Sequence, residues 1–206
     1  MGERHRITTL QELEMIYGAP RPQSLLKEVG QLTPEYRVWI EASPFVIMAS
    51  AGEGGLDCTP RGDAGAVVHV LDDKTLLLPD RPGNNRIDTL RNLIQDPRVG
   101  LLFLSPGRDE AIRVNGRAVI SVDPAHLQQG QMAGKLPRTA LLISIDSVYF
   151  QCARAIRRSQ LWAPRSSKEL AALPSIGDML QSVSQGAVDG ANYDAELEQR
   201  INTSLY

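Results

Sequence analysis

Between Phe45 and Tyr149 the chain alternates short apolar runs with turn residues, a pattern of paired strands. Phe45 to Ala51 is apolar and β-prone, and Gly52-Glu-Gly-Gly55 reads as the turn into a second strand, Leu56 to Arg61. Ala66 to Leu71 and Thr75 to Leu78 flank Asp72-Asp73-Lys74, a hairpin connection. Val99 to Leu104, Ala111 to Val122 and Leu141 to Tyr149 supply further strands. Among them, Ile87, Leu90, Leu93 and Ile94 recur at helical spacing and stop at Asp96-Pro97. Five to seven strands with few helices between them do not fit a βαβ layout. Hairpins around one inserted helix predict a small antiparallel barrel, mainly β with peripheral helices.

The flanks are helical. Thr9-Leu-Gln-Glu12 is a capping box opening a helix toward Tyr17, which Gly18 and Pro20 end. Ser24 to Val29 predicts another turn or two, and Thr33-Pro34-Glu35 starts a helix carrying Trp39 and Ile40. Asp123-Pro124 starts a short helix inside the strand region. Residues 165–206 read as polar and helical, with Ser175 and Asp189 as caps. The expected organisation is an N-terminal helical extension packed on the barrel (1–43), the barrel (44–164) and a C-terminal helical appendage (165–206). There is no internal repeat.

Composition narrows the function classes. A net charge of −2 over 206 residues implies no bulk attraction to nucleic acid. Cys58 and Cys152 lie far apart, so reduced thiols are expected rather than a disulfide framework, and no metal spacing is present. His5, His69 and His126 suggest neither a metal site nor a Ser-His-Asp triad, and a satisfied core histidine is the better reading of His69. The chain has no run of membrane-spanning length, and Met-Gly-Glu-Arg-His-Arg lacks a signal-peptide core, so a cytoplasmic protein is expected.

The candidate chemistry lies between Pro79 and Phe103, where a strand end, a Gly-containing turn, a helix start and a second strand follow one another. Free N–H groups and the positive dipole end at a helix start stabilise an anion. Arg81 and Arg86 bracket that point and are suited to grip a phosphate. The bland alternative is ordinary Asn and Asp capping with solvated arginines.

Cys-Thr-Pro-Arg-Gly-Asp (58–63), Pro-Gly-Asn-Asn-Arg (82–86), Asp-Pro-Arg-Val-Gly-Leu-Leu-Phe (96–103) and Arg-Val-Asn-Gly-Arg (113–117) occur in this order. Together they resemble the FMN-binding split-barrel family that includes pyridoxamine 5′-phosphate oxidase, over about Pro44 to Trp162. The resemblance implies a Greek-key-like split β-barrel, a homodimer, and FMN in the groove between subunits. By position, it assigns Thr59 and Arg61 on an early strand, and Asn85 and Arg86 at the helix start, to the cofactor. It lays Asp80 and Arg81 along the flavin ring and offers Arg113 from a later strand. The alternative makes Arg61 a turn residue paired with Asp63 and points Arg113 to solvent. Cys152 to Trp162 resembles a segment of an uncharacterised bacterial branch, which implies that Arg158 and Trp162 touch the partner's FMN. The alternative packs Trp162 on its own barrel and leaves Arg157 and Arg158 solvated.

The departures are specific. True pyridoxamine 5′-phosphate oxidases carry Arg-x-Val-Leu-Leu-Lys where this chain has Thr59-Pro60-Arg61-Gly62-Asp63. They end in an arginine- and tryptophan-rich segment, whereas Ala187 to Tyr206 is polar and unrelated. The resemblance therefore implies FMN binding rather than vitamin B6 phosphate oxidation. The expected activity is an FMN-dependent oxidoreductase moving hydride through flavin N5 to or from a small substrate, with no catalytic side chain identified. The alternatives are a non-catalytic flavin-binding, storage or redox-sensing protein, and an F420-dependent reductase drawing on Arg108, Arg154 or Arg157.

Overall fold

A computed structural model describes residues 5–206, so the first four residues of the N-terminal stretch lie outside the described residues. Three helices, α1 (Leu10–Tyr17), α2 (Pro22–Leu26) and α3 (Pro34–Glu41), precede the first strand. The strands are β1 (Phe45–Gly52), β2 (Gly55–Gly62), β3 (His69–Asp72), β4 (Thr75–Pro79), β5 (Arg98–Leu104), β6 (Ala111–Ser121) and β7 (Ala140–Gln151). Helix α4 (Asp88–Gln95) enters between β4 and β5, and α5 (Pro124–Gln129) between β6 and β7. The chain ends with α6 (Arg154–Ser159), α7 (Ser167–Ala171), α8 (Ile176–Val183) and α9 (Gly190–Ser204).

The seven strands form one antiparallel sheet in the order β2-β1-β5-β6-β7-β4-β3. It is the mainly β architecture with peripheral helices that the hairpin pattern predicts. Register explains its core. Met48 lies opposite Leu101, Leu101 opposite Val114, and Val114 opposite Val148, one cross-strand row that is buried throughout. Val46, Phe103 and Ile112 form the neighbouring inward row, and Phe103 is fully buried. Truncating such a phenylalanine to alanine costs about 3–5 kcal/mol.

One glycine is required by this sheet. The register shifts at Asn115/Gly116, and a Cβ on Gly116 would meet the Ser144 carbonyl oxygen at 2.2 Å. Only glycine lets the bulged strand lie that close to β7.

Local signals account for the helix ends. Thr9 and Ser175 form capping boxes, Thr33, Asp123 and Asp189 cap their helices, and Gly18 ends α1 at φ 68°. Three expectations shift. The turn expected over Ser24 to Val29 is helical earlier, at Pro22–Leu26, because proline suits a first helical position. Val29 instead bridges Val148 through paired backbone hydrogen bonds of 3.1 and 2.8 Å. In the run Ala66 to Leu71 only His69 onward is strand, while Val67 and Val68 are buried ahead of it. The apolar stripe of α4 is also narrower than its spacing suggests. Leu93 is buried, but Ile94 is 78% exposed and Ile87 takes a left-handed conformation (φ 53°) just before the helix.

Helix α3 buries Ile40 against the sheet, whereas α1 has no buried residue. Helices α8 and α9 pack on one another through Gly177 and Gly190, where a Cβ on Gly177 would sit 2.1 Å from the Gly190 carbonyl oxygen. Among the described residues no helix is long and apolar enough to cross a membrane.

Candidate functional site

A cleft of about 690 Å³ opens between β2, the end of β4, the 80–87 loop, the start of α4 and the α5–β7 loop. Strand alternation builds its first wall: Asp57, Thr59 and Arg61 are the half-buried positions of β2, and Leu56, Cys58 and Pro60 are exposed between them. Proline is tolerated there because β2 is an edge strand. Next, Pro79 ends β4 and the chain runs through Asp80-Arg-Pro-Gly-Asn-Asn-Arg86 to Asp88 without regular structure. Asn85 and Ile87 both have positive φ, which is costly for isoleucine and turns the loop into the cleft. Among the described residues no side chain caps α4 at Ile87, so its first N–H groups remain open to a ligand.

Thr59, Arg61, Asp80, Arg81, Asn85 and Arg86 all line this cleft. Their surroundings differ. Arg81 donates from Nε to Asp63 Oδ2 at 2.8 Å and from Nη1 to the Gly130 carbonyl at 2.6 Å. The Asp63 side chain is only 2% exposed, and its other oxygen accepts the Tyr206 hydroxyl at 2.8 Å. The Tyr206 ring lies 5.8 Å from the Arg81 guanidinium. Asp63 is thus the partner of Arg81 and not of Arg61. Arg81 pins the strand end, and Arg61 has no ion pair among the described residues.

Arg86 is mostly exposed and is held by Asp88 at 2.8 Å, while its backbone N–H donates to Asn84 Oδ1 at 3.1 Å. Asp80 is half-buried, and burial pushes its carboxyl above the usual range, against the opposing charges of Arg61 and Arg138. Burial, reinforced by Arg81, pushes the His69 imidazole below its ordinary value, with Asp63 opposing. His69 is a half-buried strand residue outside the cleft lining.

Arg113, Arg158 and Trp162 lie outside this chain's own cleft. Arg113 is exposed on β6 and stacks 5.0 Å from the Tyr149 ring. Trp162 donates from Nε1 to the Arg108 carbonyl at 2.7 Å, and Arg158 Nε reaches the Arg154 carbonyl at 3.3 Å. Arg157 pairs with Asp109 at 2.7 Å and Arg108 with Glu110 at 3.3 Å, both away from the cleft. Among the described residues no three His, Cys, Asp or Glu side chains gather as a metal site, and both cysteines are free and exposed.

Sequence reasoning missed the opposite wall: Met132, Lys135, Leu136, Arg138, Thr139 and Tyr206. It also missed Thr89, which is buried at the start of α4 and donates to Asp57 Oδ2 at 2.9 Å. The α5–β7 loop carries no motif or periodicity, and Tyr206 reaches the cleft from a distant part of the chain. A helical threonine following Asp88 was the one available signal for Thr89.

With this geometry in place, comparison supplies the class. The sequence profile described as pyridoxamine 5′-phosphate oxidase matches residues 32–152, more than half of the chain. The chain belongs to the pyridoxamine 5′-phosphate oxidase family, and its fold is that family's split β-barrel. Among curated proteins no sequence match is found. Among solved structures it is similar to HupZ of Group A Streptococcus, at 18% identity and TM-score 0.48, over 57% of this chain and 91% of that one. It is also similar to an FMN-binding protein from Syntrophomonas wolfei, at 11% identity and TM-score 0.45, over 69% of this chain and 97% of that one. A third is a protein related to general stress protein 26 from Clostridium acetobutylicum, at 16% identity and TM-score 0.43, over 57% and 85%.

Proposed function

We propose that the cleft binds FMN and that the protein is an FMN-dependent oxidoreductase acting as a cytoplasmic homodimer on a small substrate. The observation that carries this reading is Arg61, with no ion pair among the described residues, sharing one cleft with an uncapped helix start and with Asn85 and Arg86. A phosphate dianion needs fixed donors of this kind. The residues present fit the group in two further ways. The volume, about 690 Å³, lies within the range of small-ligand pockets, about 300–1,000 Å³. Pro82, Gly83, Met132 and Leu136 supply apolar and backbone walls for a planar ring.

When bound, FMN supplies the redox chemistry, and the protein supplies binding, orientation and exclusion of water. Arg61, Asn85 and Arg86 hold the phosphate, and Thr59 borders it on the same strand face as Arg61. Asp80 and Arg81 line the ring, with Arg81 fixed by Asp63 so that the strand end does not move. In the dimer, Arg113, Arg158 and Trp162 serve the partner's cleft. Val119 is exposed on the same outward face of β6 as Arg113, which supports an interface on that side of the sheet. Of the arginines that a longer, more acidic F420-type tail would use, Arg108, Arg154 and Arg157, none lines the cleft, and Arg108 and Arg157 are paired elsewhere, which favours FMN.

The test is a fluorescence titration with FMN and with riboflavin, which lacks the phosphate. FMN is expected to bind at least tenfold more tightly, and replacing both Arg61 and Arg86 with alanine to remove that advantage. Equal affinity for the two flavins in the unmodified protein would overturn the phosphate site.

A further inference from the structure

Residues 165–206 are joined to the barrel almost entirely through one side chain. In α7, α8 and α9 the only buried residues are Gly177 and Gly190, and the hydrophobic core takes no residue from this segment. Leu170, Leu173 and Val183 are exposed. The helices hold to each other instead. Across the close approach of α8 and α9, the Gly177 N–H donates to Asp194 at 2.8 Å and the Gly190 N–H to Gln181 at 3.0 Å. Among the described residues, every hydrogen bond and ion pair between 165–206 and the barrel runs through Tyr206.

Tyr206 sits in a built slot. Its hydroxyl donates to Asp63 Oδ1 at 2.8 Å and accepts from the Ala64 N–H at 3.2 Å, so it acts as donor and acceptor at once. Asp63 is nearly fully buried and is itself fixed by Arg81, whose guanidinium lies 5.8 Å from the Tyr206 ring. Lys135 donates to the Tyr206 main-chain oxygen. Leu205 borders a second cavity of about 230 Å³ together with Val67 and Leu78. Tyr206 lines both that cavity and the cleft, so its seat lies where the two meet. At the other end of the unit, residues 164–166 have no regular structure. They follow Trp162, which is tied to the Arg108 carbonyl.

We propose that residues 165–206 form a lid whose tip closes the cleft, hinged at 164–166 and latched by the Tyr206 phenol between Asp63 and Ala64. A segment with no apolar side chain in the core belongs to the low-stability end of a molecule and opens before the rest. Release of the one latch frees the unit as a body, because α8 and α9 stay paired. Latched, Tyr206 walls the cleft. Unlatched, the cleft loses that wall and admits or releases its ligand. The slot selects a phenol, since a phenylalanine neither donates to Asp63 nor accepts from Ala64. This lid presupposes the reading of the cleft as a ligand site, and it adds control of entry to that site.

The test uses the full chain and two readouts. Rates of FMN association and dissociation are measured by stopped-flow fluorescence for the unmodified protein, Tyr206→Phe and Tyr206→Ala. A latched lid predicts that both rates rise, about tenfold in Tyr206→Phe, the weight of one hydrogen bond to a carboxylate, while affinity changes less than about threefold. A fixed wall residue would alter dissociation alone. That pattern, or unchanged rates, would overturn the lid. The second readout needs no flavin: tryptic cleavage at Arg165 and Lys168, compared with cleavage within the barrel. In Tyr206→Ala cleavage at these two sites is expected to rise at least about fivefold more than cleavage within the barrel. A rise no greater than the barrel's would overturn the latch. If the unmodified protein binds no flavin, the FMN reading fails and the cleavage ratio alone decides the lid.

Discussion

The two walls of the cleft are built on different principles. On one side, β2 and the loop into α4 present Thr59, Arg61, Asn85 and Arg86 from positions dictated by strand alternation and by a helix start. On the other side, Lys135, Arg138, Thr139 and Tyr206 come from a loop and from the far end of the chain. The first wall is anchored by backbone pairing of β1 with β2. The second is anchored by one side-chain network, in which Asp63 accepts from Arg81 and Tyr206 while Lys135 reaches Tyr206. A rigid wall pre-organises a ligand, whereas a wall held by side chains adjusts to one.

Breaking that network is expected to give the largest effect. Asp63→Ala leaves the Arg81 guanidinium, itself only 16% exposed, without its carboxylate. The expected loss is about 3 kcal/mol of stability, read from denaturant unfolding, because an uncompensated charge remains where water is scarce. A loss under about 0.5 kcal/mol, the level of an ordinary surface change, would show that the second wall is held by something else.

The next comparison is between Arg61→Ala and Arg138→Ala. Both are expected to weaken FMN about tenfold in low salt. Arg138 is exposed and Arg61 half-buried, so added salt should erase most of the Arg138 effect and less of the Arg61 effect. Identical salt dependence would contradict the distinction between the walls. Smaller still is Thr139→Val, which removes the partnerless hydroxyl and is expected to stabilise the ligand-free protein by up to about 1 kcal/mol. The same change should weaken FMN, so the two measurements move in opposite directions.

Asp80 gives the smallest effect and a pH signature. Burial raises its folded-state pKa above the ordinary carboxyl value, so the folded protein holds the proton more tightly than the unfolded chain. Its contribution to stability is present below the ordinary carboxyl pKa and is lost as pH rises through the raised value. At neutral pH Asp80→Asn should therefore raise the melting temperature slightly and flatten that part of the pH profile. Removing a carboxylate that competes for Arg61 and Arg138 should tighten FMN roughly threefold.

Most of the fold was legible because its signals are local. Apolar runs separated by turns marked the strands, and Thr9, Thr33, Asp123, Ser175 and Asp189 marked helix starts through caps that need only neighbouring residues. The first wall was legible for the same reason, through short motifs in a fixed order. Ile87 misled because side-chain spacing carries no record of the left-handed turn that takes it out of α4. The second wall was hidden because its contacts are distant in sequence: Tyr206 meets Lys135 across 71 residues and Asp63 across 143. Nothing in the polar run before Tyr206 signals such docking.

The most direct test of the central claim is the visible absorption spectrum of the purified protein, with mass identification of whatever heat releases. A cofactor cleft of this construction predicts flavin bands and released FMN in about one copy per chain. A colourless protein that also leaves the spectrum of added FMN unchanged would contradict it.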